Sequence, residues 1–382
     1  MKKSSTLTTD RLPALDLVRC VAMFMMVQGH VIYELTDVAY LDPSNILTQI
    51  WLFIRGLTAP TFLFVSGAVQ VFANKRDGTG RVMPGPIKRR LKTSLMLLTI
   101  GYLLVFPAQK VAHLLFIGED IWLKFFQINI LQLIAVSILM LLLFFVLFRN
   151  EKIFGLTSFA FGMFIFLITP FVMSADVYDY LPVFIAPFFS YDKGTLFAVT
   201  PFTGFMFLGA AFGVLLKSRK REKRLNFMKK FGLIAGVLTI LASFPIYKFF
   251  EIQLLITENS VLSNPGFALL RLGIVLLVVA LLTFVFELTK RYASWYSIFG
   301  RRALFVYVLH LILIYGTPWN NSFGQYFHQS LPLYISIPVA WSVVAVSGYL
   351  AWLYDSSVMS NKPAVAYFRY SVIFFILFIL LV

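Results

Sequence analysis

The stretch "RCVAMFMMVQGHVIYEL", residues 19–35, decides how this chain is read. It belongs to an apolar run long enough to cross a bilayer, yet it carries Arg19 near one end and His30 and Glu34 near the other. Ionisable groups at membrane depth are expensive, so they are held where they pair or where they work. On a helix, eleven residues bring His30 back to within about 20° of Arg19 and about 16 Å along the axis, so both share one face. Asp16 and Arg19 stand at i, i+3, a spacing that predicts an ion pair at the first end of the helix. Glu34 lies one turn beyond His30, within reach to orient its imidazole. Asp16 is too far for that, at about 21 Å.

The remainder of the chain repeats the same signal. Of 382 residues, 59% are hydrophobic and only 13% are charged, with a mean hydropathy of +0.84. No soluble core of this size hides that much apolar surface. The pattern predicts an all-α, polytopic integral membrane protein, one transmembrane domain over residues 1–382. Eleven helices are expected at 14–35, 48–74, 91–107, 128–148, 153–174, 198–217, 230–250, 266–287, 302–317, 332–354 and 364–382. The net charge of +16 does not point to nucleic acid, because 26 of the 33 Lys and Arg residues fall in alternate loops. That bias places those loops, and the N-terminus, on the cytoplasmic side. No small-residue cleavage site follows the first apolar run, which is read as a retained span. A lone cysteine, Cys20, excludes an intramolecular disulfide and argues against a thiolate metal site. The four histidines have no metal-ligand spacing, and no P-loop, GxSxG or HExxH motif is present, so no metal is expected.

Several polar residues gather at one depth in this scheme. Arg55, Asn129, Gln132 and Arg271 fall with His30 and Glu34 in the outer third of their helices, and His310 lies nearer the middle beside Tyr307. Together they describe a polar funnel opening outward. Taken singly, each has a plainer account, such as a snorkelling arginine or an interhelical amide. At the opposite side, "GPIKRRLK" (85–92) sets Lys88, Arg89 and Arg90 at the start of a helix. Such a cluster serves topology and anionic lipid contact, and it also suits a polyphosphate. "KSRKREKR" (217–224) reads as a solvated loop. Segments 108–127 and 175–197 mix aromatic, charged and proline residues and are expected to lie along the interface. No internal repeat favours the inverted-repeat transporters.

"RLPALDLVRCVAMFMMVQGH" (11–30) resembles the opening of the transmembrane acyltransferases, whose first helix carries an R-x-x-x-L-D-x-x-R-x-x-A pattern and a histidine near its far end. "TAPTFLFVSGAVQVF" (58–72), "KRRLKTSLMLL" (88–98), "INILQLIAVSIL" (128–139) and "FGRRALFVYVLH" (299–310) are similar to pieces of the branch containing heparan-α-glucosaminide N-acetyltransferase and its bacterial relatives. The polysaccharide O-acyltransferase branch shares only the first pattern. The resemblance implies transfer of an acyl group, usually acetyl, from cytoplasmic acyl-CoA to a sugar on the far side of the membrane, the bacterial inner membrane for a bacterial relative. Acetyl-CoA would be a co-substrate, with no permanently bound cofactor. By the motif, His30 matches the catalytic histidine, Asp16 and Arg19 the L-D-x-x-R pair, and Gln132 and His310 the polar positions of their pieces. Two departures stand out. The position before the histidine, often Asp in relatives, is Gly29, and the usual G-x-x-S-L reads "GRRAL".

On this reading Arg19, Lys88, Arg89 and Arg90 hold acyl-CoA, His30 is the base with Glu34 behind it, and Arg55, Asn129, Gln132, Arg271 and His310 receive the acceptor. The two arginines favour an anionic acceptor, a uronate-containing glycan or a lipid-linked sugar phosphate. Direct transfer and an acyl-histidine route both stay open, as does a homodimer embedded among membrane lipids. Composition and topology are equally satisfied by an exporter of an anionic glycan or lipid-linked precursor, or by an inactive partner subunit.

Overall fold

The computed structural model describes residues 11–253 and 258–360, together with the isolated residues 363, 367, 370, 371 and 374. Among these the chain is helical, without named strands. The principal helices are α1 (Pro13–Leu35), α2 (Ile46–Gly56), α3 (Thr58–Ala73), α4 (Pro84–Leu104), α5 (Glu119–Phe126), α6 (Ile130–Leu147) and α7 (Glu151–Met173). They are followed by α8 (Val177–Tyr180), α9 (Val199–Lys217), α10 (Arg224–Gln253), α11 (Pro265–Leu288), α12 (Ala293–Tyr315), α13 (Phe323–Phe327) and α14 (Leu333–Met359).

Nine helical segments among the described residues are long and apolar enough to cross a membrane, and the protein is an integral, multi-pass membrane protein. The helix expected at 91–107 is present as α4 but begins earlier, so its first turns carry Lys88, Arg89, Arg90 and Lys92. That charge keeps it out of the nine. The span expected at 364–382 lies outside the described residues, apart from Tyr367, Tyr370, Ser371 and Phe374.

One expected helix is divided. The apolar run 48–74 breaks at Leu57 into α2 and α3. Pro60 has no N–H to give the carbonyl of Gly56, so the ladder cannot continue unbroken. The Thr58 hydroxyl instead caps the carbonyl of Arg55 at 2.9 Å. The break turns Arg55 and Gly56 toward the bundle interior, where the site is built.

The most buried helix is α9, packed between α3 and α7. Its approach to α3 depends on glycine: a Cβ at Gly67 would strike the carbonyl of Met206, and one at Gly209 the carbonyl of Phe64. Close contact through small residues is how helices associate where water provides no drive. The same device joins α10 to α11, through Gly232, Gly236 and Gly273. The first helix packs against α3, α11, α12 and α14, so its polar face looks into the bundle.

Two ionic joints fix α12. Asp16 of α1, buried, receives Arg11 Nε at 2.7 Å, Arg11 Nη2 at 3.0 Å and the Ser297 hydroxyl at 3.1 Å. Gly300 makes the room, because a Cβ there would collide with the Asp16 carboxylate. The ion pair expected between Asp16 and Arg19 is thus not the one formed. Arg11 sits just ahead of the helix and can wrap onto the carboxylate from the open end, whereas the Arg19 guanidinium lies over the Phe62 ring, 5.2 Å from its centroid. On α14, buried Asp355 binds both Arg301 (2.7 Å) and Arg302 (2.7 Å). Arg302 has non-helical angles, φ −109° and ψ 17°, so α12 bends where the "GRRAL" piece meets α14.

Candidate active site

Helix periodicity sets His30 on the face of α1 directed at α2 and α12. Its Nδ1 lies 3.0 Å from His310 Nε2, and His310 Nδ1 lies 3.1 Å from the carbonyl oxygen of Val306, one turn back on α12. The direction of this chain follows from elementary hydrogen-bond chemistry. A carbonyl only accepts, so His310 Nδ1 carries the hydrogen and donates to Val306. With both rings neutral, His310 Nε2 presents a lone pair and His30 Nδ1 is the donor to it. His30 Nε2 is left unprotonated, with its lone pair free. Two imidazolium rings cannot make the contact at all. Tyr307 closes edge-on against His310 at 5.3 Å between centroids, and Tyr315 edge-on against His30 at 6.0 Å.

Glu34 does not orient His30. Its Oε1 accepts from His328 Nδ1 at 2.8 Å, and the backbone beside it is tied to the same segment through Gln329 N–H to Glu34 O (2.9 Å) and Leu331 N–H to Leu35 O (2.9 Å). The α12–α14 connection folds over the end of α1 and captures the carboxylate. Helical spacing within α1 contains no information about that connection.

Arg55 lies near His30 and Arg271 near the α2–α3 break, each against a glycine. The stem of Arg55 lies on Gly29, where a Cβ would stand 3.1 Å from Arg55 Cγ. Its guanidinium rests over the Tyr33 ring, 4.0 Å from the centroid, within electrostatic range of His30 and Tyr315. The departure at position 29 thereby gains a reason, since any side chain there would displace Arg55. Arg271 of α11 reaches Gly56, whose hypothetical Cβ would be 3.1 Å from Arg271 Nη2. Residues 55 and 56 are adjacent, so Arg271 reaches the α2–α3 break at the residue next to Arg55, with its guanidinium over the Phe267 ring, 4.3 Å from the centroid. The Nε of Arg271 has no hydrogen-bond partner among the described residues.

The segment 190–200 closes over this end. Tyr191 accepts from Ala198 N–H at 3.3 Å, donates to the Thr200 carbonyl at 3.4 Å, and lies within electrostatic range of Arg271. Burial pushes its hydroxyl upward, so it stays a neutral donor. Segments 108–127 and 175–197 are joined by Gln127 Nε2 to the Lys193 carbonyl at 2.7 Å. Asn129 ends as the residue before α6, with no capping bond from its side chain. Gln132, one turn on, is wholly buried, its amide pressed on Gly101 of α4 and both polar atoms unpaired among the described residues.

At the other end of α1, Arg19 meets the basic start of α4. Arg90 lies within electrostatic range of both Arg19 and Arg89, and its Nε donates to Asn74 Oδ1 at 3.3 Å. Arg19 Nε has no hydrogen-bond partner among the described residues. Lys88 and Arg89 are exposed. Three cations thus converge, while the nearest carboxylate, Asp16, directs its hydrogen bonds to Arg11 and Ser297. On α4, one turn past Arg90, buried Ser94 holds another hydroxyl with no hydrogen-bond partner among the described residues.

A family model described as heparan-alpha-glucosaminide N-acetyltransferase, catalytic, matches residues 11–252. The chain belongs to that family. A comparison with curated proteins gives no match. The heparan-α-glucosaminide N-acetyltransferase region so matched holds His30, Arg55, Arg90 and Gln132, whereas Arg271 and His310 come from helices beyond it. The family is one of membrane acetyltransferases. Sequence reasoning missed Tyr315, Tyr33, Tyr191 and His328. Tyrosines are common near membrane interfaces, and nothing local distinguishes these three from the rest, or His328 from a loop histidine.

Proposed function

We propose that this protein transfers an acetyl group from acetyl-CoA to an amine or hydroxyl of a sugar-bearing acceptor, with His30 Nε2 as the base. The observation that carries this reading is the chain Val306 O, His310, His30, which with neutral rings leaves a lone pair on His30 Nε2 near Arg55. The acceptor's N–H or O–H gives its proton to His30 Nε2 as the nucleophile bonds to the thioester carbonyl. The C–S bond then breaks, and the departing thiolate takes the proton from His30 to leave as the thiol. Throughout, His30 Nδ1–H remains donated to His310, so the ring is held in one tautomer. General base catalysis of this kind contributes typically about 10²–10⁴ in rate. Arg55 and Arg271 are placed to stabilise the oxyanion or to hold an anionic acceptor. In the acyl-histidine route the same Nε2 is the nucleophile, so both routes depend on the same tautomer.

Acetyl-CoA enters in this reading from the Arg19, Arg89 and Arg90 end. The loop charge bias assigns that end to the cytoplasm, and the acceptor then approaches from the other side. Buried polar groups left unpaired at Ser94 and Gln132 suit the amides of a pantetheine arm running between the two ends. The test uses purified protein in sealed proteoliposomes with acetyl-labelled acetyl-CoA and glucosamine. His30→Ala is expected to bind acetyl-CoA normally and to lose nearly all CoA release. Retained release in His30→Ala would place the base elsewhere, and uptake of acceptor without thioester cleavage would favour an exporter.

A further inference from the structure

Helix α12 meets α1 at two places. Asp16 receives the Ser297 hydroxyl at 3.1 Å and lies against Gly300, and further along His30 meets His310 at 3.0 Å. The contacts ascend together in both helices, so α1 and α12 run in the same direction. Their spacings along the axis agree, since fourteen residues of α1 cover about 21 Å and thirteen of α12 about 20 Å. Their phases do not. Around a regular helix, Asp16 and His30 stand about 40° apart, on one face of α1. Ser297 and His310 would stand about 140° apart, and Gly300 and His310 about 80°. A regular α12 that kept Ser297 on Asp16 would turn His310 away from His30.

Arg302 lies between the two contacts. Its angles are non-helical, φ −109° and ψ 17°, so the half of α12 that carries His310 is aimed separately from the half pinned to Asp16. Helix α14 holds this break. Buried Asp355 accepts from Arg301 Nη2 at 2.7 Å, Arg301 Nε at 3.1 Å and Arg302 Nε at 2.7 Å. Next to it, the Tyr354 ring lies 4.9 Å from the Arg302 guanidinium and stacks on Phe305, in the second half of α12, at 5.2 Å and 7° between planes. Arg301 alone would tie α12 to α14. The bond to Arg302 ties down the distorted residue itself.

We propose that Asp355 is a positioning residue for the acyl transfer: by fixing the break at Arg302 it aims the second half of α12 and holds His310 Nε2 against His30 Nδ1. The assignment rests on the acyl-transfer reading. His310 is eight residues beyond Arg302, about 12 Å along the helix, so Asp355 acts on the site only through α12. An ionic joint that merely steadies the bundle would have the same contacts, and kinetics separates the two.

Asp355→Asn and Arg302→Gln are compared with wild type in sealed proteoliposomes with acetyl-CoA and glucosamine, each alone and combined with His310→Phe. A misplacement of about 1 Å at a reacting group costs about 100-fold, so Asp355→Asn should lower kcat by about 10- to 100-fold with KM for acetyl-CoA unchanged. Arg302→Gln leaves the carboxylate paired with Arg301 and should lower kcat by about tenfold. Asp355→Glu, which keeps the charge, should retain most of kcat. With His310→Phe, both substitutions should cost almost nothing further, because the contact they serve is already gone. Losses that add in full to that of His310→Phe, or a KM for acetyl-CoA that rises as far as kcat falls, would show general support of the bundle and overturn the proposal. Wild-type kcat in both variants would overturn it too. If Asp355→Asn does not accumulate, Arg302→Gln decides alone, and failure of both to accumulate marks the joint as structural and sinks the assignment. CoA release that depends on His30 but not on Asp355 or Arg302 sinks this proposal only, whereas release that survives His30→Ala sinks the transfer reading and this assignment with it.

Discussion

His30 Nδ1 lies 3.0 Å from His310 Nε2 across the contact between α1 and α12. His310 is itself tied to the Val306 carbonyl, so in the proposed acyl transfer it would be a positioning residue, accepting from His30 without touching substrate. His310→Gln keeps an acceptor for His30 Nδ1–H and should retain most of kcat. His310→Phe fills the space but frees the His30 tautomer, and kcat should fall about 100-fold, the lower end of what a general base contributes. KM for acetyl-CoA should be unchanged in both. A pH–rate profile that is identical in the two variants would show that His310 only packs.

The Arg11–Asp16–Ser297 joint concerns stability. Asp16 is buried and accepts three hydrogen bonds. Removing one partner of such a pair leaves an uncompensated charge, at a cost of roughly 3–5 kcal/mol. Arg11→Ala should therefore lower the melting temperature in detergent sharply. Ser297→Ala removes one neutral donor and should cost only about 1–1.5 kcal/mol. Equal effects of the two substitutions would mean that the carboxylate finds another cation, with Arg19 the nearest.

These two joints also mark the reach of the sequence. Hydropathy locates α1 closely, since Pro13 opens it and the apolar run ends at Leu35. It cannot see the break at Leu57, because α2 and α3 are equally apolar and only the missing N–H of Pro60 divides them. The expectation that His30, Arg55 and Arg271 share one depth, with His310 nearer the middle, follows from counting along helices. Their pairing does not, because His30 and His310 are 280 residues apart and meet only through the packing of α1 on α12. Glu34 and Asp16 show the opposite error. Each has a plausible neighbour within its own helix, and each is taken by a group from outside it, His328 at 2.8 Å and Arg11 at 2.7 Å.

Gln132 distinguishes a ligand-binding residue from a structural one by sign. Its buried amide has both polar atoms unpaired among the described residues, which costs about 1–3 kcal/mol per unsatisfied group. Gln132→Leu removes that burden at similar volume, so the empty protein should melt at the same or a higher temperature. If the amide serves the pantetheine arm, the same variant should raise KM for acetyl-CoA several-fold. A variant that is both less stable and kinetically normal would show a structural partner, such as a water, in the native protein.

The meeting of Arg19 and Arg90 makes the last prediction. Two guanidinium groups within electrostatic range of each other repel, and Asp16, the nearest carboxylate, is engaged by Arg11. Holding such a pair together in the bundle destabilises the empty protein and favours whatever anion enters between them. Arg90→Gln relieves the repulsion and can still hydrogen-bond Asn74, so folding should be unharmed or improved. Binding of acetyl-CoA should weaken by about tenfold, in line with the roughly 1.5–3 kcal/mol of one charged hydrogen bond. Acceptor KM should stay within twofold, because Arg55 and Arg271 are untouched. Added salt should weaken acetyl-CoA binding less in the variant than in the wild type, since one screened charge has gone. Isothermal titration with acetyl-CoA and with 3′-phosphoadenosine diphosphate measures both effects. Equal loss for acetyl-CoA and for acceptor would show that Arg90 supports the bundle as a whole, and unchanged binding would reduce the cluster to a topology signal.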